Sequence, residues 1–244
     1  MRGGLGMDVR EALSAPEGKR RYNELHFAEA ASRYDLATKA MSLGRDPAWK
    51  RALVAGLPDH PSPRCVDLAC GTGDVAFLLA RRFPRGRVEG IDLSAPMLDR
   101  ARNRNRYPNV SFSRQDLCDL SFPDGSVDRV TGSYAVRNAP DLVRCLREIL
   151  RILRPGGTAA LLDFSRPAAP LLRAVQHRTL RGWCGLWGLL LHGNPEIHGY
   201  VAESLARFPD RDRFHGMLRG EGFEILRSRR LVLGTLEILL LRKR

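Results

Sequence analysis

Three carboxylates, Asp67, Asp92 and Asp116, each close a short apolar run, and a glycine-rich turn, Asp67-Leu-Ala-Cys-Gly-Thr-Gly-Asp74, follows the first of them. Cys65 to Ala69 reads as a strand and Val75 to Ala80 as a helix, so Gly71 and Gly73 stand where strand passes into helix. At such a turn backbone N–H groups face a bound small molecule, and a residue without Cβ lets it approach. Two ligand classes use this geometry. Read as Gly71-x-Gly73-x-x-Ala76, with Asp92 about twenty residues on, the turn satisfies the loose dinucleotide fingerprint. Asp67 and Asp74 would then meet a pyrophosphate at close range, an unfavourable like-charge contact. S-adenosylmethionine carries an ammonium, a sulfonium and no phosphate, and the same carboxylates attract it. The turn favours S-adenosylmethionine, and Asp74 as a plain helix N-cap is compatible with either ligand.

Asp92, closing Val88-Glu-Gly-Ile-Asp92, is placed to accept hydrogen bonds from a ribose diol. Its other reading is an N-cap for a helix over 95–106, but Ser94 already meets that need. Asp116 is placed to accept from an adenine amino group, with a surface turn as the alternative. The arginine-rich run Leu98 to Arg106 reads as a solvated helix face rather than a nucleic-acid stripe.

The elements that must position these residues alternate. Strand-like runs at 64–69, 87–92, 110–114, 127–133 and 158–164 are interleaved with helix-like runs near 74–83, 95–106 and 140–153. That spacing predicts right-handed β-α-β units and a parallel sheet covered on both faces. Ligands of such sheets bind beyond the carboxyl ends of the strands. Those ends carry Asp67 and Ala69, then Asp92 and Leu93, then Gln115, Asp116 and Leu117, then Ser133 and Tyr134, and Asp163 at the fifth. With Gly71, Thr72, Gly73 and Met97 they make up the expected cofactor contacts, Tyr134 and Asp163 excepted. Four segments follow: N-terminal helices over 1–60, a binding core over 61–165, a helical lid over 166–209, and 210–244. In the last, 223–231 and 235–241 form a hairpin with Gly234 in its bend, completing the sheet.

Length and composition set the outer limits. The 244 residues are enough for one sizeable domain with additions. No run of about eighteen apolar residues occurs, so no membrane-spanning helix is expected. The first residues lack the apolar stretch of a signal peptide, and Met7 competes with Met1 as the start. The five cysteines include no Cys-x-x-Cys pair, so reduced thiols are expected and no metal. Net charge is +13, and only four of the forty basic residues are Lys. Residues 166–244 carry fourteen Lys and Arg against seven Asp and Glu, a surface suited to anionic lipid or nucleic acid.

Five internal motifs give the chain a family likeness: Asp67 to Asp74, Gly90-Ile-Asp-Leu-Ser-Ala-Pro-Met-Leu98, Tyr134-Ala-Val-Arg-Asn138, Leu153-Arg-Pro-Gly-Gly157 and Leu162-Asp-Phe-Ser-Arg-Pro167. Arg33-Tyr-Asp-Leu36, Ser42-Leu-Gly44 with Trp49, and Tyr200-Val-Ala-Glu-Ser204 followed by Phe208-Pro209 extend it. Together the chain resembles the ubiquinone/menaquinone biosynthesis C-methyltransferases from about residue 20 onward. The resemblance implies a class I S-adenosylmethionine-dependent methyltransferase fold, a Rossmann-like, mostly parallel seven-stranded α/β sheet with an antiparallel last hairpin. It also implies methyl transfer to a ring carbon of a prenylated hydroquinone, demethylmenaquinol first and a ubiquinone benzoquinol second. Arg137 is then assigned to the developing phenolate and Asn138 to substrate orientation. His198, Tyr200 and Asp163 are the candidate bases. The chain departs from the family at Asp163, usually Glu, at His198, usually Tyr, and in a tail that lacks the usual glycine pair and later His.

A tailed substrate calls for an apolar channel or a lipid surface. Leu171, Leu172, Trp183, Leu186, Trp187 and Leu189 to Leu191, set among Arg173, Arg178 and Arg181, suit a helix at the inner face of a membrane or a lid packed on the sheet. A cytoplasmic, peripherally bound bacterial enzyme is expected, with a homodimer or another enzyme of the pathway as a further partner. Nucleic acid is not expected. Ser133-Tyr-Ala-Val136 stands where amino-methylating enzymes carry Asn/Asp-Pro-Pro-aromatic, and no Pro-Cys nucleophile occurs. A methyltransferase of secondary metabolism and a non-catalytic scaffold on the same fold are the rival readings.

Overall fold

The computed structural model describes residues 9–244, so the choice between Met1 and Met7 lies outside the described residues. Four helices come first: α1 (Val9–Ala12), α2 (Pro16–Ala30), α3 (Tyr34–Met41) and α4 (Asp46–Ala55). Strand and helix then alternate: β1 (Arg64–Leu68), α5 (Asp74–Arg82), β2 (Arg87–Asp92), α6 (Ala95–Arg104), β3 (Val110–Arg114), β4 (Val127–Ser133), α7 (Leu142–Ile152) and β5 (Leu153–Phe164). Two long helices follow, α8 (Pro170–His192) and α9 (Pro195–Arg207), then α10 (Arg211–Gly220), β6 (Phe223–Leu231) and β7 (Leu236–Lys243).

All seven strands join one sheet in the order β3-β2-β1-β4-β5-β7-β6. The first five are parallel, and β7 enters antiparallel between β5 and β6. The chain reverses direction across the sheet between β1 and β4, where the two carboxyl ends part and leave a crevice. The sheet holds together because both faces are covered. Val66, Leu68, Val130 and Leu161 pack with Leu146 and Ile149 in one cluster. Cys65, Val88 and Leu162 pack with Leu53, Val75 and Leu79 in the other.

Local chemistry explains the element ends. In α7 Cys145, Leu146, Ile149 and Ile152 share one buried stripe, and Asp141 caps the helix by accepting from the Arg144 N–H at 3.0 Å. The run expected at 140–153 therefore starts two residues later. β5 begins at 153 rather than 158, because Leu153 already pairs with Val127 before Arg154 to Gly157 bulge out, Gly156 taking φ +71°. Gly193 (φ +66°) ends α8 and Asn194 caps α9, accepting from the Glu196 N–H at 2.9 Å. In the β6–β7 bend Gly234 is joined at positive φ by Val232 and Leu233.

One expectation is corrected here. Ser94 stands before α6, yet its hydroxyl makes no capping bond and has no partner among the described residues. Asp92 instead fixes the residue before the helix, its Oδ1 accepting from the Ser94 N–H at 2.9 Å.

Candidate active site

The crevice beyond β1 and β4 opens as two joined spaces. The smaller cleft is walled by Ala69, Gly71, Asp92, Leu93, Met97, Gln115, Asp116, Leu117 and Ser133, all expected cofactor contacts. The other expected contacts, Asp67, Thr72 and Gly73, stand one layer back from its wall. Asp67 is buried under the turn and takes the Thr131 hydroxyl at 2.7 Å, and burial pushes its carboxyl up to about 7. The Thr72 hydroxyl is spent on Asp35 Oδ1 at 2.7 Å. Gly73 is required for packing, since a Cβ there would lie 2.8 Å from Phe77 at φ +94°. Asp74 is neutralised by Lys50 at 3.0 Å and Arg104 at 2.7 Å. Burial works against its charge, but these two cations hold its carboxyl below the usual range. The arginines of α6 are equally committed: Arg104 also reaches Asp35, and Arg100 donates to the Ser32 carbonyl.

Asp92 is the organising acid of the cleft. Its Oδ2 takes the Gly71 N–H at 2.8 Å while Oδ1 holds Ser94, so one carboxylate fixes the glycine turn and the start of α6 together. Burial raises its pKa against those N–H donors. Each oxygen keeps a second lone pair for a ligand hydroxyl. Asp116 accepts from the Cys118 N–H at 2.8 Å and pairs with Arg20 at 3.1 Å. Ala69 (φ +47°) and Tyr134 (φ +58°), at the two strand ends that flank the crevice, both adopt the left-handed conformation. Such strain costs about 1–2 kcal/mol per residue and concentrates at working sites. The Ser133 hydroxyl and the Asn138 side-chain carbonyl are buried with no partner among the described residues. An acceptor-rich cleft with donors and acceptors left over, and no cation on its wall, fits a cationic nucleoside ligand.

The second space is a cavity of about 630 Å³, almost wholly apolar. It shares the wall residues Phe27, Tyr34, Tyr134 and Asn138 with the cleft, so the two spaces adjoin. Arg137 lies on its wall and is 3% exposed. Its backbone N–H and Nε donate to Asp163 at 3.1 and 3.4 Å, Nη1 donates to the Ser204 hydroxyl, and the guanidinium lies 5.3 Å over the Phe164 ring. Nη2 makes no hydrogen bond among the described residues. Asp163 sits behind Arg137 and off the cavity wall, which removes the geometry a base at that position would need. His198 and Tyr200 do line the cavity. The Tyr200 hydroxyl donates to Asn23 Oδ1 at 2.5 Å, Asn23 donates to the Asn138 backbone carbonyl at 2.6 Å, and Asn138 Nδ2 donates to the Tyr134 carbonyl at 2.9 Å.

The first helices supply wall residues that sequence reasoning missed, Asn23, His26, Phe27 and Tyr34. A signal existed: Tyr22, Asn23, His26 and Ala30 form the buried stripe of α2, with two polar side chains on it. His26 forms a triangle of rings with Tyr22, stacked at 5.6 Å, and Tyr200, tilted at 4.8 Å. Burial first, then His198 and Arg137, push it down to about 3. The folded state therefore refuses a proton that the unfolded chain accepts below about pH 6.5. Stability is full above that value and falls as the pH drops toward the folded pKa. His26→Phe keeps the stack and removes the titration. Relative to the natural chain, its unfolding free energy should improve by about 1.4 kcal/mol per pH unit below about pH 6.5. Urea melts at about pH 7.5 and about pH 5 would show it; a constant difference would mean that His26 titrates normally.

The pattern of the ubiE/COQ5 methyltransferase family matches residues 17–240. The chain belongs to that family. A demethylmenaquinone methyltransferase of Deinococcus radiodurans is 38% identical over 210 residues, covering 85% of this chain and 87% of that one. A 2-phytyl-1,4-naphtoquinone methyltransferase of Synechococcus elongatus is 35% identical, covering 87% and 93%. Among solved structures, an S-adenosylmethionine-dependent methyltransferase from Mesorhizobium loti matches with a TM-score of 0.58 at 22% identity, over 79% of this chain and 96% of that one, which speaks to the fold. This member of the ubiE/COQ5 family is an S-adenosylmethionine-dependent C-methyltransferase with the class I fold, and its place is in quinone biosynthesis. Among the described residues no group of three or more His, Cys, Asp or Glu is arranged to hold a metal ion, and no helix is long and apolar enough to cross a membrane.

Proposed function

We propose that this protein methylates a ring carbon of a prenylated hydroquinone, with demethylmenaquinol as first substrate. The observation that carries this reading is the large apolar cavity that opens into the cofactor cleft and has one buried cation, Arg137, on its wall. Bound in the cleft, S-adenosylmethionine supplies a methyl group on a positively charged sulfur. Asp92 takes the ribose diol, Asp116 with Gln115 and Leu117 the adenine, and Ser133 with the glycine turn the amino-acid end. Asn138, on the wall of both spaces, orients the substrate ring. Ionising a ring hydroxyl drives electron density to the neighbouring carbon, and the free Nη2 of Arg137 steadies the oxyanion in a site shut off from water. The helices α1 to α4, with α8 and α9, cover the substrate and exclude water from it.

The tail extends along the apolar wall toward a rim of Leu43, Leu172, Val175 and Leu233, all well exposed. With Arg178 and Arg181 on α8, this rim suits contact with the headgroup layer of an anionic membrane. Leu233→Asp should weaken binding to phosphatidylglycerol vesicles several-fold while leaving turnover of a short-tailed, soluble quinol unchanged; unchanged sedimentation with vesicles would remove the membrane contact. The central test incubates the protein and labelled S-adenosylmethionine with reduced demethylmenaquinone, a benzoquinol counterpart and DNA. Label in the naphthoquinol supports the reading, and label in none of the quinols overturns it.

A further inference from the structure

Methylating a hydroquinone ring releases one proton, so some group on the cavity wall must receive it. No carboxylate and no lysine lines the cavity among the described residues. Arg137 is a fixed cation. The Tyr134 hydroxyl is committed as a donor to Asp46 at 2.9 Å and the Tyr200 hydroxyl to Asn23, and burial raises both. Burial also pushes Tyr34 up to about 12 and the Cys184 thiol up to about 11. Two imidazoles remain. His26 and His198 both line the cavity, on α2 and α9, and are 4% and 5% exposed. His26 Nδ1 and His198 Nε2 are both buried and unpartnered among the described residues. Two unsatisfied ring nitrogens at one apolar site are costly unless a ligand satisfies them.

We propose that His26 and His198 are the substrate-reading pair of this cavity: each holds a ring oxygen of the hydroquinone, and His198 takes the hydroxyl proton as the neighbouring carbon is methylated. This rests on the hydroquinone reading above and adds the residues that read the ring. The O–H bond breaks and its proton joins the free nitrogen of His198. The electron density left on oxygen drives a ring π pair into the new C–CH₃ bond, while the S–CH₃ pair stays on sulfur. The methylated carbon then sheds its hydrogen as a proton and the oxygen takes one back, so one proton leaves in total.

The division of labour follows from position. Burial aside, a charge on His26 is opposed first by His198 and then by Arg137, whereas the charge acting on His198 comes from His192. Burial holds His198 at about 4, so it stands neutral and able to accept. Its ring lies 5.1 Å from that of the half-buried His192, edge to face.

The test uses the full chain, reduced demethylmenaquinone with a short tail, and three variants. His198→Gln keeps a hydrogen-bonding side chain of similar length but accepts no proton. It should bind the quinol, followed by quenching of Trp183 fluorescence, close to normally and lose about 10²-fold in kcat. His198→Ala should lose as much and regain activity with added imidazole, a rescue that a purely structural histidine would not show. His26→Phe, which fills the site but offers no hydrogen bond, should raise KM for the quinol about ten-fold with kcat largely kept, the loss of one buried hydrogen bond. Affinity for S-adenosylmethionine should stay the same in all three. Wild-type turnover by His198→Gln, or a loss in His198→Ala that imidazole leaves unrepaired while donor binding is intact, overturns the role of His198. An unchanged KM in His26→Phe overturns that of His26. Failure of the natural chain to methylate any quinol sinks the proposed function instead, a different result from full activity in every variant.

Discussion

Arg137→Met should abolish methyl transfer and loosen the fold together, and adding Asp163→Leu should restore the fold without the activity. The guanidinium and the Asp163 carboxylate are both buried and face each other at 3.4 Å. Removing one partner strands the other charge in a medium that solvates it poorly, at about 3–5 kcal/mol. Burial already raises the Asp163 pKa even with Arg137 present, so without it the carboxyl protonates and loses its backbone contacts' full strength. Replacing both partners by apolar groups of similar volume is often neutral for stability. The double variant therefore separates the two roles of Arg137, holding the loop after β4 and facing the substrate oxygen. Turnover should fall at least about 10²-fold in both variants, the scale of losing an oxyanion donor. Urea melts together with a labelled-methyl assay decide it. A double variant that is stable and active would confine Arg137 to structure.

The second large effect is expected at Asp92. Its two oxygens each accept a backbone N–H, from Gly71 and from Ser94, and an amide has only one oxygen to offer. Asp92→Asn sets an NH₂ against one of those donors. The glycine turn or the start of α6 shifts, and the ribose acceptor is weakened as well. Losing a charge-assisted bond of about 1.5–3 kcal/mol corresponds to roughly ten- to a hundred-fold in affinity for S-adenosylmethionine. Titration calorimetry reads this directly. Affinity equal to that of the natural chain would place the ribose elsewhere.

The order of strands and helices was legible because it rests on period and turn chemistry, which a few neighbouring residues carry. The run from Cys65 through the glycines to Ala80 states its own geometry. What the sequence concealed depends on contacts between distant segments. Asp67 and Asp74 read as equals beside the turn, yet Asp74 meets Lys50 and Arg104 while Asp67 sinks beneath the turn against Thr131. Nothing local distinguishes them. Arg137 and Asn138 were legible as a pair through family likeness, whereas the contribution of α2 was not, because the Tyr200–Asn23 bond spans 177 positions in sequence. Nothing local to His198 tells that it is buried; that follows from α9 packing along α8.

The placing of β7 bears on how the chain is made. This strand fills the gap between β5 and β6, and Leu236, Leu239 and Leu241 are buried there. During synthesis β5 therefore emerges with one hydrogen-bonding edge and the flanking Ala160, Leu161 and Leu162 uncovered, and its neighbour follows only after α8, α9, α10 and β6 have been translated. An open apolar edge of that kind invites pairing with another nascent copy. Overexpression that outpaces chaperone supply should yield inclusion bodies, and slower, cooler translation should recover material that folds.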